Sequence, residues 1–209
     1  KNYRSDKKPK LIWLSTDEVY GDIAEGSHNE CSPLKPSNMY SATKASADML
    51  LLAGGRTYNL DYNIIRPTNM YGISQYPEKL IPKTIKFLSL GRHIPLHNNG
   101  TPKRVWLNVE DLIDAILLVI QKGKSKDIYN VSGNFECSNK EIVSKIIKLM
   151  YGENEEIDGF VDYSYNRISQ DVRYNLDDSK IRKLGWFPKK NINEELPMIV
   201  DFYKNNFIW

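Results

Sequence analysis

The 209-residue chain lacks most of what would staple a protein or anchor it elsewhere. Its two cysteines, Cys31 and Cys137, stand far apart and cannot make a disulfide framework. Its histidines number only three, so a zinc site has little support. A reducing, cytoplasmic setting is expected, and the short Asn-x-Ser/Thr matches at Asn99 and Asn130 carry little weight there. No apolar run approaches the ~18 residues that span a bilayer, and no signal peptide is visible, so no membrane partner is expected. Charge of one sign is also missing: 29 Lys and Arg face 26 Asp and Glu, a net +3 dispersed along the chain. That pattern argues against a nucleic-acid partner and leaves small anionic ligands open. There is no internal repeat and no low-complexity segment. The chain begins at Lys1 rather than Met, and the expectation is a fragment of a longer protein.

What is present is enough apolar surface for a core, 41% hydrophobic and 11% aromatic, in one large domain or two small ones. Leu11 to Ser15 is a short apolar run, the pattern of a strand covered on both faces in a parallel sheet. A Gly-, Ser- and Pro-rich loop leads to a helix from Tyr40 to Tyr58, then a second buried strand, "YNIIR". "PEKLIPKTIKFLSLG" reads as a helix with Pro77 near its first turn and Gly91 past its end. "RVWLN" is a strand, and "VEDLIDAILLVIQKG" is a helix whose early acids and late Lys122 complement its dipole. After the strand "DIYNVSG", Ser138 and Glu141 make a capping-box signature for another helix. "FVDY", a short helix near Asp178 to Leu184 and a last amphipathic helix complete the chain. Strands alternating with helices predict an α/β fold with a parallel sheet.

Chemistry concentrates at the end of the first strand, where Thr16, Asp17 and Glu18 follow the apolar run without a spacer. Adjacent acids in different environments can hold different pKa values, one donating a proton and one accepting it. An acid pair capping a turn would look the same. Tyr40 and Lys44, four apart on a helix, share a face, and a nearby ammonium would lower the phenol's pKa toward use as a base. Taken alone, Tyr-x-x-x-Lys is also an ordinary helix-surface pair.

"STDEVYG", "MYSATKASADML", "RPTNMYG", "YPEKLIP", "RVWLNVEDL" and "YNVSG" occur in the order and spacing of the nucleotide-sugar 4,6-dehydratases of the extended short-chain dehydrogenase/reductase superfamily, which the chain resembles from about Leu11 to Trp186. Related epimerases usually carry Ser or Thr where Asp17 and Glu18 sit, and related decarboxylases usually lack the Asp. The resemblance implies a Rossmann-like doubly wound sheet with a smaller α/β substrate-binding domain. Residues 1–72 would be the C-terminal part of the NAD-binding domain, and 73–209 mainly the nucleotide-sugar region, with about 104–131 returning to the first. It implies a tightly held NAD contacted by Ser15, Tyr40, Lys44 and Met70. Tyr40, assisted by Lys44 and Thr16, would deprotonate the glucose 4-hydroxyl during oxidation at C4. Glu18 would then remove the C5 proton while Asp17 protonates the departing 6-hydroxyl. Thr16, Asn69, Lys79, Leu80, Pro95, Leu96, His97, Arg104, Asn139, Arg167 and Gln170 fall where the family holds the nucleotide sugar, and the guanidinium of Arg104 suits a diphosphate.

Within "YNRISQDVRY" the sequence departs from the family, with Ile168 where Pro is usual and Gln170 where His or Asn is usual. Asn108 stands where an aromatic is frequent. The Gly-rich turn that holds the NAD pyrophosphate in this superfamily is not found. "AGGRTY" follows a helical run and is given no phosphate role. The chain therefore reads as roughly the last two-thirds of such an enzyme. Trp186 and the aromatic C-terminus read as packing. The nucleotide, dTDP or UDP, stays open. So do two other readings: a non-catalytic sugar-binding module, and an epimerase or decarboxylase on the same scaffold. Members of the family commonly pair through two long helices, and the helices at Tyr40 and Val109 permit a homodimer.

Overall fold

A computed structural model of the chain describes residues 9 to 166 and 171 to 206. In chain order the elements are β1 (Lys10–Leu14), α1 (Met39–Thr57), β2 (Asp61–Pro67), β3 (Asn69–Tyr71), α2 (Leu80–Ser89), β4 (Ile94–Pro95), β5 (Lys103–Asn108), α3 (Val109–Lys122), β6 (Asp127–Val131), β7 (Phe135–Ser138), α4 (Asn139–Tyr151), β8 (Val161–Asp162), α5 (Ser179–Arg182) and α6 (Ile192–Asn205). The strands β1, β2 and β6 lie parallel in that order, with Trp13 opposite Ile64 and Ile64 opposite Ile128. Parallel neighbours need long crossovers, and α1 supplies the one from β1 to β2.

Two small sheets complete the α/β architecture. β3 pairs parallel with β5, β5 pairs antiparallel with β7, and β4 pairs parallel with β8. The expected α/β fold with a parallel sheet is what the strands β1, β2 and β6 form, and β7 adds one antiparallel return against β5 that places Arg104 opposite Cys137. β1 pairs parallel with β2 as expected, and along it only Leu11, 45% exposed, is not at least partly buried.

Local signals account for most helix ends. Asn38 and Ser41 form a reciprocal capping box at α1, and Ser138 with Glu141 forms another at α4. Asn108 accepts from the Glu110 amide at 2.8 Å, so the residue that departs from the family pattern caps α3. α2 starts at Leu80 rather than near Pro77, because Lys79 keeps an extended conformation. Pro82 then falls in the first turn, where its missing N–H leaves no bond unmade. A Cβ on Gly55 would sit 2.5 Å from the Tyr62 ring, so the glycines of "AGGRTY" let α1 approach β2.

Among the described residues the buried apolar side chains gather in two large clusters and a small one, Val19, Tyr20, Ala45 and Leu176, behind the turn after β1. One large cluster joins Ile81 and Ile85 of α2 to Ile142 and Ile146 of α4 and Leu196 and Ile199 of α6. The other joins Ile65, Leu107, Leu112, Val119, Val131 and Trp186. Each such side chain contributes about 1.5–3 kcal/mol when fully buried. The Trp186 indole also donates to the Asp111 carbonyl at 3.0 Å, which makes it a packing residue as expected. No helix among the described residues is long and apolar enough to cross a membrane.

Beneath the C-terminal end of β1 lies a buried polar cluster. Asp48 of α1 accepts from the Trp13 indole at 2.8 Å, the Ser15 hydroxyl at 3.0 Å and Nε of Arg66 at 2.9 Å. Arg66 also donates to the Tyr20 hydroxyl at 2.7 Å, which in turn donates to Asn130 at 2.8 Å. These bonds tie β1, α1, β2 and β6 together where chemistry was expected.

Candidate active site

Past Leu14 the chain turns through Ser15 into a single tight turn, Asp17–Tyr20, capped by Thr16, whose hydroxyl oxygen accepts from the Glu18 amide at 3.4 Å. Gly21 ends it with φ +81°, and a Cβ there would lie 2.3 Å from the Lys35 carbonyl oxygen, so only glycine fits. The turn points its two acids to different places. Asp17 is 3% exposed, accepts from the Thr16 hydroxyl at 3.1 Å, and leaves Oδ2 buried without a partner. Burial, and after it the negative charge of Glu18, push its carboxyl up to about 7, against the pull of Thr16 and Arg104. Glu18 is half-buried and its carboxylate accepts from the Asn38 side-chain amide at 3.2 Å.

Tyr40 stands in the first turn of α1 and is 53% exposed. Its phenol is held above its ordinary value by burial first, then by the charges of Glu18 and Asp17, while Thr16 pulls it down. The expected lowering by Lys44 is not what the structure gives. The Lys44 ammonium donates to the Leu14 carbonyl at 3.0 Å and lies 4.6 Å from the centre of the Trp13 ring. It is anchored at the end of β1 rather than spent on the phenol.

Arg104 is not a solvated surface charge. It is 7% exposed, donates to the carbonyls of Lys103 at 2.6 Å and Asp171 at 3.1 Å, and lies 4.5 Å from the Tyr174 ring centre. None of those contacts is a carboxylate, and the guanidinium's charge eases the ionisation of Asp17. Asn139 opens α4 beside it, its amide bonded to the Pro102 carbonyl at 3.0 Å. His97 meets the edge of Tyr165, and Leu96 is buried in the α2/α4/α6 core.

The other candidates spread further. Pro95 lies in β4 and Asn69 in β3 opposite Trp106. Lys79 precedes α2 and pairs with Glu78 at 3.1 Å, and Leu80 packs on the core. The Ser15 hydroxyl is turned to Asp48, and the Met70 carbonyl accepts from Gln75 at 2.9 Å. Arg167 and Gln170 lie outside the described residues. Thr16, Asp17, Glu18, Tyr40 and Arg104 thus share one electrostatic neighbourhood.

The expected NAD can be tested against the donors at this end of the sheet. The Lys44 ammonium has N–H groups to spare beyond Leu14, and the exposed Tyr40 hydroxyl shares its helix face. Such a set suits the ribose hydroxyls of a nicotinamide nucleotide, so the residues present fit that half of the cofactor.

Sequence reasoning missed Asn38, Asp48 and Arg66. The Asn-x-x-Ser spacing was a legible cap, but a bond from Asn38 to a carboxylate 20 positions earlier leaves no mark on local pattern.

Comparison with known proteins adds an independent line. The family model described as GDP-mannose 4,6 dehydratase matches residues 1–199. A human dTDP-D-glucose 4,6-dehydratase is 38% identical over 95% of this chain and 57% of its own length. A dTDP-glucose 4,6-dehydratase of Streptomyces niveus is 39% identical over 96% of this chain and 59% of its own. Among solved structures, the dTDP-glucose 4,6-dehydratase DesIV of Streptomyces venezuelae, with NAD and TYD bound, superposes with a TM-score of 0.89 at 37% identity, covering 94% of this chain and 60% of that one. The chain therefore spans under two-thirds of the length of these relatives.

Proposed function

The chain belongs to the GDP-mannose 4,6-dehydratase family, and on that footing we propose that the protein carrying it converts a nucleotide-activated glucose, linked to dTDP or UDP, to the 4-keto-6-deoxy sugar with loss of water. The observation that carries this reading is the turn after β1. One acid there is buried with an unpartnered oxygen, its neighbour reaches outward, and an exposed phenol stands across from both.

NAD, when bound, supplies a reversible two-electron acceptor and a positive ring charge that favours a phenolate. Lys44, Tyr40, Ser15 and the backbone at Met70 would hold it. Tyr40 takes the proton of the sugar 4-hydroxyl as the C4–H bond is oxidised to a ketone. The ketone acidifies C5, and the Glu18 carboxylate takes that proton as the C5=C6 bond forms. The C6–O bond breaks, and Asp17, whose burial raises its carboxyl to about 7 so that a protonated fraction persists at neutral pH, gives its proton to the leaving oxygen. Water departs. Bound NAD would supply the electron pair that reduces C6; Glu18 returns its proton to C5, and the Tyr40 proton is released to restore Asp17. Arg104 holds the diphosphate, with Asn69, Lys79, Leu80, Pro95, Leu96, His97, Asn139, Arg167 and Gln170 completing the nucleotide-sugar site.

The division into a cofactor-binding part, 1–72 with about 104–131, and a sugar-binding part over the rest of 73–209 belongs to this proposal. So does a homodimer. Ile113, Leu117 and Ile120 make an exposed apolar stripe on α3, with Met49 and Leu50 exposed on α1. Light scattering is expected to give twice the protomer mass. The free thiols of Cys31 and Cys137 suit the cytoplasm.

The test is direct. The protein, given NAD and either UDP-glucose or dTDP-glucose, is expected to form a 4-keto product read by its absorbance in alkali, and competition between the two sugars identifies the nucleotide. Glu18→Gln is expected to keep sugar binding and lower turnover by about 10²- to 10⁴-fold, with loss of C5 proton exchange into solvent. No product from either sugar, or normal exchange in the variant, overturns the assignment.

A further inference from the structure

One side chain outside the proposed catalytic set, Asn38, touches both the Glu18 carboxylate and Asp171. Asn38 ends the loop before α1, and its amide oxygen accepts from the Ser41 backbone N–H at 2.9 Å. That bond fixes which way the amide faces. The –NH₂ group must point the other way, where it donates to Glu18 Oε2 at 3.2 Å and to Asp171 Oδ2 at 3.4 Å. Two hydrogens meet two carboxylates, and every polar atom of the amide is used.

Asp171 is itself a fixed point. It is 8% exposed and accepts from the Ser37 hydroxyl at 2.7 Å and from the Tyr174 hydroxyl. Its carbonyl holds Arg104 at 3.1 Å, and the next two backbone amides, Val172 and Arg173, donate to Asp22 at 3.0 and 2.8 Å. The segment 171–174 is therefore pinned across the mouth of the acid pair, and Asn38 is the link between it and Glu18. The same residue caps the helix that carries Tyr40.

We propose that Asn38 is a positioning residue for proton removal at C5, its amide orienting the Glu18 carboxylate from an anchor shared by α1 and the Asp171 segment. The inference rests on the dehydratase reading given above. It separates Asn38 from a plain helix cap, because a cap needs only the amide oxygen, whereas positioning needs the –NH₂.

Asn38→Asp keeps an oxygen for the Ser41 amide and the helix start, and replaces the donor with a third carboxylate facing Glu18 and Asp171. In the NAD-loaded protein this variant is expected to lose kcat by roughly 10- to 100-fold, with KM for the nucleotide sugar within about threefold of wild type. Oxidation at C4 is expected to continue, so the reduced nicotinamide absorbance at 340 nm builds up during turnover, while deuterium uptake at C5 falls in step with kcat. Asn38→Ser, a cap without the second donor, is expected to behave alike should the aspartate variant fold poorly. A kcat within twofold of wild type in either folded variant overturns the inference, as does a kcat loss matched by an equal loss of C4 oxidation. A wild-type protein that forms no 4-keto sugar overturns the functional reading beneath it, a different and separately readable result.

Discussion

Two aspartates lie buried near the end of β1, and their surroundings could hardly differ more. Asp48 is fully buried and meets four donor groups, the Trp13 indole, the Ser15 hydroxyl and two nitrogens of Arg66. Asp17, 3% exposed, meets one hydroxyl and leaves an oxygen without a partner. A carboxylate removed from water must be paired or take up a proton. Asp48 is paired, and Asp17 moves its pKa to about 7. Burial alone therefore does not mark a site. At Asp17 the shortage of donors acts together with the neighbouring charge of Glu18 to leave a loosely held proton. Of these two aspartates, the satisfied one holds the scaffold and the unsatisfied one is available for chemistry.

The comparison breaks if the two aspartates prove interchangeable, and the largest effect expected lies with Asp48. Asp48→Ala strands a guanidinium that is 2% exposed in the side chain. Removing one partner of a buried pair costs about 3–5 kcal/mol, so urea unfolding should show a matching loss in stability, or no folded protein. A loss under about 1 kcal/mol would mean that the cluster does not hold the strands.

Asp17 should behave in the opposite sense. Its folded pKa is raised from 3.8 to about 7, so between those values the folded chain holds a proton that the unfolded chain has released. Rising pH then favours unfolding. The group's contribution is fully present below pH 3.8 and is lost as pH climbs through about 7. Integrated from pH 5 to pH 8 this is about 2–3 kcal/mol, an order-of-magnitude figure. Asp17→Asn has no proton to lose, so the gap between variant and wild type, followed by chemical denaturation, should widen by that amount in the variant's favour as pH rises. Its turnover should fall, since an amide cannot give a proton to the leaving oxygen. A variant that tracks wild type across this range would show that Asp17 does not titrate there.

The sequence made one half of this comparison legible and hid the other. Apolar runs and caps located β1, α1, α3, α4 and α6, since their signals span a few adjacent residues: Ser138 with Glu141, or acids early and Lys122 late in α3. The acid pair was visible because it follows a strand without a spacer. Asp48 and Arg66 gave no such signal. Each is an ordinary polar residue in its own helix or strand, and they meet only because α1 crosses back over β2. The short strands β3, β4 and β7 were missed for the same reason, as two to four residues acquire strand character from the partner they reach. Lys44 shows a partial success: spacing put it on the Tyr40 face, but its ammonium donates to the Leu14 carbonyl at 3.0 Å and the phenol is raised rather than lowered.

Tyr20 gives the smallest effect and the finest test, because it belongs to both regions. It stands on the same turn as Asp17 and Glu18, yet its hydroxyl accepts from Arg66 at 2.7 Å and donates to Asn130 at 2.8 Å. Its ring stacks on His28 at 5.2 Å, an arrangement that phenylalanine can keep. Tyr20→Phe therefore removes one oxygen and leaves a donor and an acceptor short of a partner in a buried place. The cost is about 1–2 kcal/mol by denaturation, less than for Asp48, because Arg66 retains its carboxylate. If scaffold and chemistry are separate, kcat stays within about twofold of wild type while stability falls. If kcat drops by tenfold or more, the hydroxyl is setting the geometry of the turn, and the line between the two aspartates must be redrawn to run through Tyr20 itself.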